Sequence, residues 1–363
     1  MAKYKIAWMP GDGIGKDVLD AAKIILDASG FSAEYIPFDI GWEVFRVEGD
    51  PLPTRTIEGM KETDAALFGA ITSKSATDPE TISIQQKHGT RYRSPIVKLR
   101  QTFNLFSNMR PCKAYPGNPL NYRDDIDLVF FRENTEGLYS GVEFHPIPTE
   151  IHKLDLMEKY DPEKTAVSFR IFTEDGCHRI IQKAFDYAKE FGHSTVTVIH
   201  KANVIRQTCG MFLRIAKDIA QDYPNIEMWE TNIDAMCMWL VKNPQDYGVC
   251  VTSNMFGDIV SDLGAQLVGG LGFASSASTS DSYGLFEPTH GSAPKYAGQY
   301  KVNPTAALLS VKLLWDYLGE HQLAKKLEKA IATVIREGKV RTYDLGGNNT
   351  TLEVAEEVVK KLE

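Results

Sequence analysis

Strand-like and helix-like segments alternate along this chain, a glycine cluster joins the first strand to the first helix, and no segment repeats. Together these predict an α/β fold. The 363 residues are enough for two domains or one large split domain. Lys5–Met9 is a short apolar strand. Lys16–Ser29 follows with Val18, Ala22, Ile25 and Leu26 at helical spacing and stops at Gly30. Asp64–Gly69 and Asp127–Arg132 read as buried strands. Thr165–Phe172 alternates as a strand does and precedes a helix over Glu174–Phe191. Thr195–Ile199 is a strand, with a helix near Val204–Gln221. Ile226–Glu230 and Val249–Thr252 are strands, each leading into a helix. Three helices close the chain, near Pro304–Leu318, Glu320–Glu337 and Thr350–Leu362. Thr350 and Glu353 form a capping box for the last. Residues 137–173 mix proline, histidine and charge without helical period, which suits an arm or clasp rather than core.

The bulk numbers exclude some functions. A net charge of −8 argues against a nucleic-acid or anionic-membrane partner. No apolar run reaches membrane-spanning length, and the opening residues read as a strand, not a leader. The five cysteines form no Cys-x-x-Cys pair, and their number is odd. Reduced thiols in a cytoplasmic setting are the expectation, and a zinc site is not.

Asp258 and Asp262 stand four apart, which on a helix places both carboxylates on one face. Two hard oxygen anions suit Mg²⁺ or Mn²⁺, although an exposed acidic pair has the same spacing. Arg100, Arg110 and Arg132 suit a polyanionic small molecule. Pro10-Gly11-Asp12-Gly13-Ile14-Gly15 follows a strand and opens a helix. Its third glycine comes one residue too early for the dinucleotide fingerprint, so it reads equally as a tight turn. His290–Gly298 is a small-residue loop carrying Lys295 and Tyr296, either a nucleotide contact or ordinary surface. Arg132–Gly141 and His200-Lys201-Ala202-Asn203 follow strand ends, where α/β sheets place ligands.

These segments jointly resemble the β-decarboxylating dehydrogenases of isocitrate, homoisocitrate, 3-isopropylmalate and tartrate. The matching pieces are Pro10–Gly15, Gly49–Thr54, Ser94–Pro111, Arg132–Gly141, His200–Asn203, Asn254–Gly272, Phe286–Asn303 and Arg341–Gly347, in the family's order. The resemblance implies a two-domain, non-Rossmann α/β fold. The large cofactor-binding domain would take 1–105 and 269–363, the small domain 106–136 and 174–268, and the dimer clasp 137–173. It implies a homodimer with shared sites acting on a small tricarboxylate held between the domains. Arg100, Arg110 and Arg132 match the grips on substrate carboxylates, with Ser94 beside the distal one. Asp258 and Asp262 match metal ligands, joined by Asp234 from the partner subunit. Lys201, also from the partner, matches the group that handles the hydroxyl proton, and Tyr139 the acid that protonates the enol carbon. Thr72 and Glu287 match residues beside the nicotinamide, close to Ile14 in the glycine turn. His290, Gly291, Ser292, Ala293, Lys295, Tyr296 and Asn303 match the adenosine pocket.

The resemblance also bears on specificity. NAD enzymes of the family carry Asp-Ile where this chain has Lys295-Tyr296, the NADP pattern; Tyr343 matches a further 2′-phosphate contact. An arginine found in some NADP enzymes is replaced by Gly347, so NAD use stays open. Ser94 points to isocitrate. Ile96 stands where isocitrate enzymes have asparagine, and Ser-Pro-Ile-Val resembles some homoisocitrate enzymes. The expectation is NADP-linked isocitrate oxidation, with homoisocitrate or another 3-substituted malate as the alternative. A non-catalytic regulatory subunit on this fold would lose Tyr139, Lys201, Asp234, Asp258 or Asp262, and this chain keeps all five.

Overall fold

The computed structural model describes residues 2–362. Twelve strands form among them: β1 (Tyr4–Gly11), β2 (Ala33–Pro37), β3 (Ala65–Ala70), β4 (Ser107–Lys113), β5 (Asp127–Glu133), β6 (Glu143–Phe144), β7 (Val167–Ser168), β8 (Thr195–His200), β9 (Glu227–Asn232), β10 (Val249–Thr252), β11 (Ser275–Thr279) and β12 (Gly284–Pro288). Ten of them make one sheet in the order β2-β1-β3-β12-β11-β4-β5-β10-β8-β9. The set β2, β1, β3 and β12 is parallel, as is the set β5, β10, β8 and β9. Between them run three successive antiparallel pairings, β12 with β11, β11 with β4, and β4 with β5. The two parallel sets therefore point in opposite directions.

Strand composition follows from cover on both faces. Ala-Ala-Leu-Phe-Gly-Ala of β3 and Val-Cys-Val-Thr of β10 are buried at every position, which is why they read as continuous apolar runs. Ile6, Leu67, Phe286, Leu308 and Trp315 belong to a core built largely from the chain ends. Phe131, Ile180, Phe185, Phe212 and Val251 belong to another, built from the middle.

Most predicted elements recur within a residue or two. The helix after β7 spans Glu174–Phe191 and is capped by Thr173; the Thr350/Glu353 capping box is present on Thr351–Val359. Two expectations need correction. Only Val167–Ser168 of the alternating Thr165–Phe172 run is strand, paired with β6 in a two-stranded ribbon. Phe172, at the end of that run, packs instead against the core around Phe212. The helix expected near Val204 begins at Thr208, because the Lys201 carbonyl accepts from the Val204 and Ile205 amides in a preceding turn. Two further helices, Pro79–His88 and Pro95–Thr102, lie where no element was assigned from sequence.

Candidate functional site

The helix Asn254–Leu267 carries the acidic pair. Gly257 and Gly264 let it sit tightly on β5: a Cβ at Gly257 would lie 2.6 Å from the Arg132 side chain, and one at Gly264 2.6 Å from Phe130. Close approach brings the polar stripe Asn254, Asp258, Ser261 and Asp262 onto Arg132 and Arg110. Arg132, 1% exposed, pairs through Nη1 with Asp258 Oδ1. Its Nε and Nη2 donate to Asn254 Oδ1 at 2.9 and 2.7 Å. Arg110 reaches Asp258 at 3.3 Å and Asp262 at 3.1 Å. It also donates to Ser261 Oγ and Asn108 Oδ1, each at 2.8 Å. Arg100 pairs with Glu287 at 3.1 Å. Tyr139 donates to Asp258 Oδ2 at 2.8 Å, its ring 5.4 Å from the Arg132 guanidinium.

Three nearly buried cations around one carboxylate set the local charge. Burial, with Arg110 and Arg100 adding repulsion, pushes Arg132 down to about 9, which leaves it charged at neutral pH. Burial raises the Asp258 carboxyl, but the attraction of Arg132 and Arg110 exceeds it and holds the group below the usual range. Asp262 is raised by burial, which the Arg110 attraction only partly offsets. Burial and the Asp258 bond raise Tyr139, so its phenol stays protonated and able to donate.

Lys201 and Asp234 lie apart from this group. They pair with each other at 2.5 Å, just after β8 and β9, and Asp234 is 68% exposed. The Lys201 bond holds the Asp234 carboxyl low. Among the described residues no three acidic, histidine or cysteine side chains in one chain are grouped to hold a metal.

A second cluster forms where β1, β3 and β12 end. The Ile14 amide donates to the Ser292 carbonyl at 2.8 Å, and Thr72 Oγ1 bonds Ser292 Oγ at 2.6 Å. A Cβ at Gly13 would lie 2.1 Å from that same carbonyl, so the turn and the 290–298 loop are in backbone contact. His290 Nδ1 meets the Gly291 carbonyl, while its buried Nε2 and Thr289 Oγ1 have no partner among the described residues. Burial lowers His290, keeping it neutral. Lys295 lies over Tyr296 at 4.8 Å, and Tyr296 and Tyr343 are 6.0 Å apart, centroid to centroid. Asn303 donates to Asp344 at 3.0 Å.

The profile of the isocitrate/isopropylmalate dehydrogenase family matches residues 5–358. The chain belongs to that family. A 3-isopropylmalate/3-methylmalate dehydrogenase of Methanocaldococcus jannaschii is 43% identical, over 99% of each chain. An isocitrate/homoisocitrate dehydrogenase of Thermus thermophilus is 39% identical, over 99% of this chain and 98% of the relative. The crystal structure of isocitrate dehydrogenase from Methylococcus capsulatus superposes with a TM-score of 0.87 at 36% identity, covering 99% of both chains. The fold is thus that of this family of metal-dependent decarboxylating dehydrogenases, whose members use NAD(P), a divalent metal ion and small-molecule substrates.

Within the family frame, Ser94 precedes the helix Pro95–Thr102 without capping it, while Ile96 packs against the apolar cluster around Met9 and Leu99. Sequence reasoning missed Asn254, Asn108 and Ser261. Asn254 and Ser261 had a signal: with Asp258 and Asp262 they fall at i, i+4, i+7 and i+8, one helix face. Among the described residues no helix is long and apolar enough to cross a membrane.

Proposed function

We propose that this chain catalyses the oxidative decarboxylation of isocitrate with NADP and Mg²⁺ or Mn²⁺, as a homodimer with shared sites. The observation that carries the reading is the group of Arg100, Arg110 and Arg132 beside Asp258, Asp262 and Tyr139. Three fixed guanidinium groups match the three carboxylates of a tricarboxylate. Asp258 and Asp262 fit a hard divalent cation, because both present carboxylate oxygens on one helix face. The unpartnered His290 Nε2 and Thr289 Oγ1 fit the polar edge of a nucleotide base.

Held by Asp258 and Asp262, a cation would supply Lewis-acid charge at the substrate oxygen, and a dinucleotide held beside Ile14 and His290 would supply the hydride acceptor. The chain's own groups do the rest. Arg100, Arg110 and Arg132 hold the carboxylates, and Ser94 donates to the distal one. Lys201 Nζ, reaching in from the partner with Asp234, handles the hydroxyl proton. Tyr139 Oη then delivers a proton to carbon once carbon dioxide has left. Two features support sharing: Lys201 and Asp234 form an ion pair with each other, and among the described residues no third acid groups with Asp258 and Asp262.

A 3-substituted malate with an apolar or longer substituent is the second reading. Ile96 and Val97 stand next to Ser94 and Arg100 on one short helix, and the 43%-identical relative is named for isopropylmalate and methylmalate. The purified chain should be assayed with isocitrate, homoisocitrate and 3-isopropylmalate, each with NADP and NAD, with Mn²⁺ or with excess EDTA. The proposal expects the highest kcat/KM for isocitrate with NADP and none in EDTA. A higher value for another malate overturns the substrate, NAD preference overturns the cofactor, and full activity in EDTA overturns the metal.

A further inference from the structure

The cofactor reading leaves a gap. Some NADP enzymes of the family place an arginine where this chain has Gly347. That position cannot carry a side chain here, because a Cβ would lie 2.1 Å from the Arg341 carbonyl oxygen. The turn is closed by the Gly347 amide on the Thr342 carbonyl at 3.0 Å. One cation for a 2′-phosphate is therefore missing from its usual segment.

Lys301 occupies the same surface from another direction. Its Nζ lies 5.0 Å from the centroid of the Tyr343 ring. Tyr343 meets Tyr296 at 6.0 Å, and Tyr296 carries Lys295 at 4.8 Å. The four side chains make a row of two ammonium groups and two phenols. Among the described residues neither lysine has a carboxylate within ion-pairing distance. The nearby Asp344 is turned to neutral donors, with Thr342 Oγ1 on one oxygen at 2.5 Å and Asn303 Nδ2 on the other at 3.0 Å.

The backbone around Lys301 is held on both sides. The Tyr300 carbonyl accepts from the Thr351 amide at 2.7 Å, and the Val302 carbonyl from Thr351 Oγ1 at 2.6 Å. The buried Asp17 carboxylate takes the Gly298 and Tyr300 amides at 3.0 and 3.1 Å. An exposed lysine without a salt bridge, on a pinned backbone and over an aromatic ring, is preset for an incoming anion.

We propose that Lys301 is a specificity-determining residue that binds the 2′-phosphate of the dinucleotide together with Lys295, in place of the arginine that Gly347 excludes. The proposal rests on the NADP reading above and adds a residue to it. The test is calorimetric titration of the whole protein with 2′,5′-ADP and with 5′-AMP, which differ only in the phosphate at issue. Wild type should bind 2′,5′-ADP more tightly. K301M should lower that preference roughly tenfold, the scale of one lost charge-assisted contact, with 5′-AMP affinity unchanged. K301R should keep most of it. KM for NADP should rise in K301M while KM for NAD stays constant. If wild type does not distinguish the two nucleotides, the NADP reading fails and this one with it. If wild type distinguishes them and K301M does so equally, or loses both alike, Lys301 has no such role while the NADP reading stands.

Discussion

Replacing Asp12 should separate one buried carboxylate's structural work from everything around it. Asp12 is 3% exposed and joins three segments that are distant in sequence. Its Oδ2 accepts from the Trp42 amide at 2.7 Å and the Thr72 amide at 2.8 Å, and its Oδ1 from the Glu43 amide at 3.1 Å. The residue capping the helix Trp42–Glu48 is Gly41, which has no side chain to do so, and a Cβ there would lie 2.5 Å from Asp12 Oδ2. Asp12 thus supplies that helix's cap from the glycine turn and also fixes Thr72. In Asp12→Asn the single amide oxygen can keep two of the three bonds, and the amide nitrogen then faces the Glu43 N–H. One bond to a charged acceptor is lost, a cost of about 1.5–3 kcal/mol, and the remaining two lose their charge assistance. Asp12→Ala leaves all three amides unpaired and should cost more than Asp12→Asn. Urea unfolding of the protein at fixed concentration measures both, and calorimetric titration measures dinucleotide affinity, which should weaken as Thr72 drifts from Ser292. Asp12→Asn within about 0.5 kcal/mol of wild type, a difference typical of inconsequential surface changes, would refute the reasoning. So would Asp12→Ala being no worse than Asp12→Asn.

Other outcomes follow from the same geometry. Gly257→Ala drives a methyl into the Arg132 side chain, and kcat/KM should drop about a hundredfold, as small misplacements at a reacting centre do; unchanged turnover in a steady-state assay would contradict this. Asp262→Asn should weaken Mn²⁺ binding, read by electron paramagnetic resonance of the free ion, and an unchanged affinity would remove Asp262 from the metal site. Lys201→Met and Tyr139→Phe homodimers should each be nearly inactive, while an equal mixture after verified subunit exchange should recover about a quarter of wild-type activity, since half the dimers then hold one intact site of two. No recovery would count against sharing. Lys295→Asp with Tyr296→Ile should move kcat/KM toward NAD, and retained NADP preference would show that the discrimination lies elsewhere.

The sequence carried β1, β3, β5, β8, β9 and β10 and the long amphipathic helices, because burial writes a pattern into their residues, but β4 and the fully buried β12 went unread. It concealed β11, whose Ser-Ser-Ala-Ser-Thr has no apolar signal; its hydroxyls are buried and answered by Asn108, which donates to Ser276 and Ser278 at 3.2 and 2.9 Å. The helices Pro79–His88 and Pro95–Thr102 had a signal that went unused, an Asp or Ser directly before a proline at the first helical position. At the site, the arginines, acids and tyrosine could be named individually, yet spacing alone could not bring Arg110 and Arg132 together. Their meeting depends on the β4–β5 pairing and on Gly257. Lys201 and Asp234 are found as a pair outside that group, and no pattern in one chain states where a second copy sits.

The unbroken sheet limits how its two halves can move against each other. The segments carrying Ile14, Thr72 and Ser292 and those carrying Arg110, Arg132 and Asp258 are joined by hydrogen-bonded strands rather than by a free linker, through Ala277–Met109, Ser278–Asn108 and Thr279–Ser107. A hinge would tear that register. A relative movement of the two halves would instead take the form of torsion, a small change of twist spread over neighbouring strands. Arg110, midway along β4, stands next to that seam, so a change of twist there would also change its distance to the carboxylates it faces, and sheet shape and charge geometry are one coordinate.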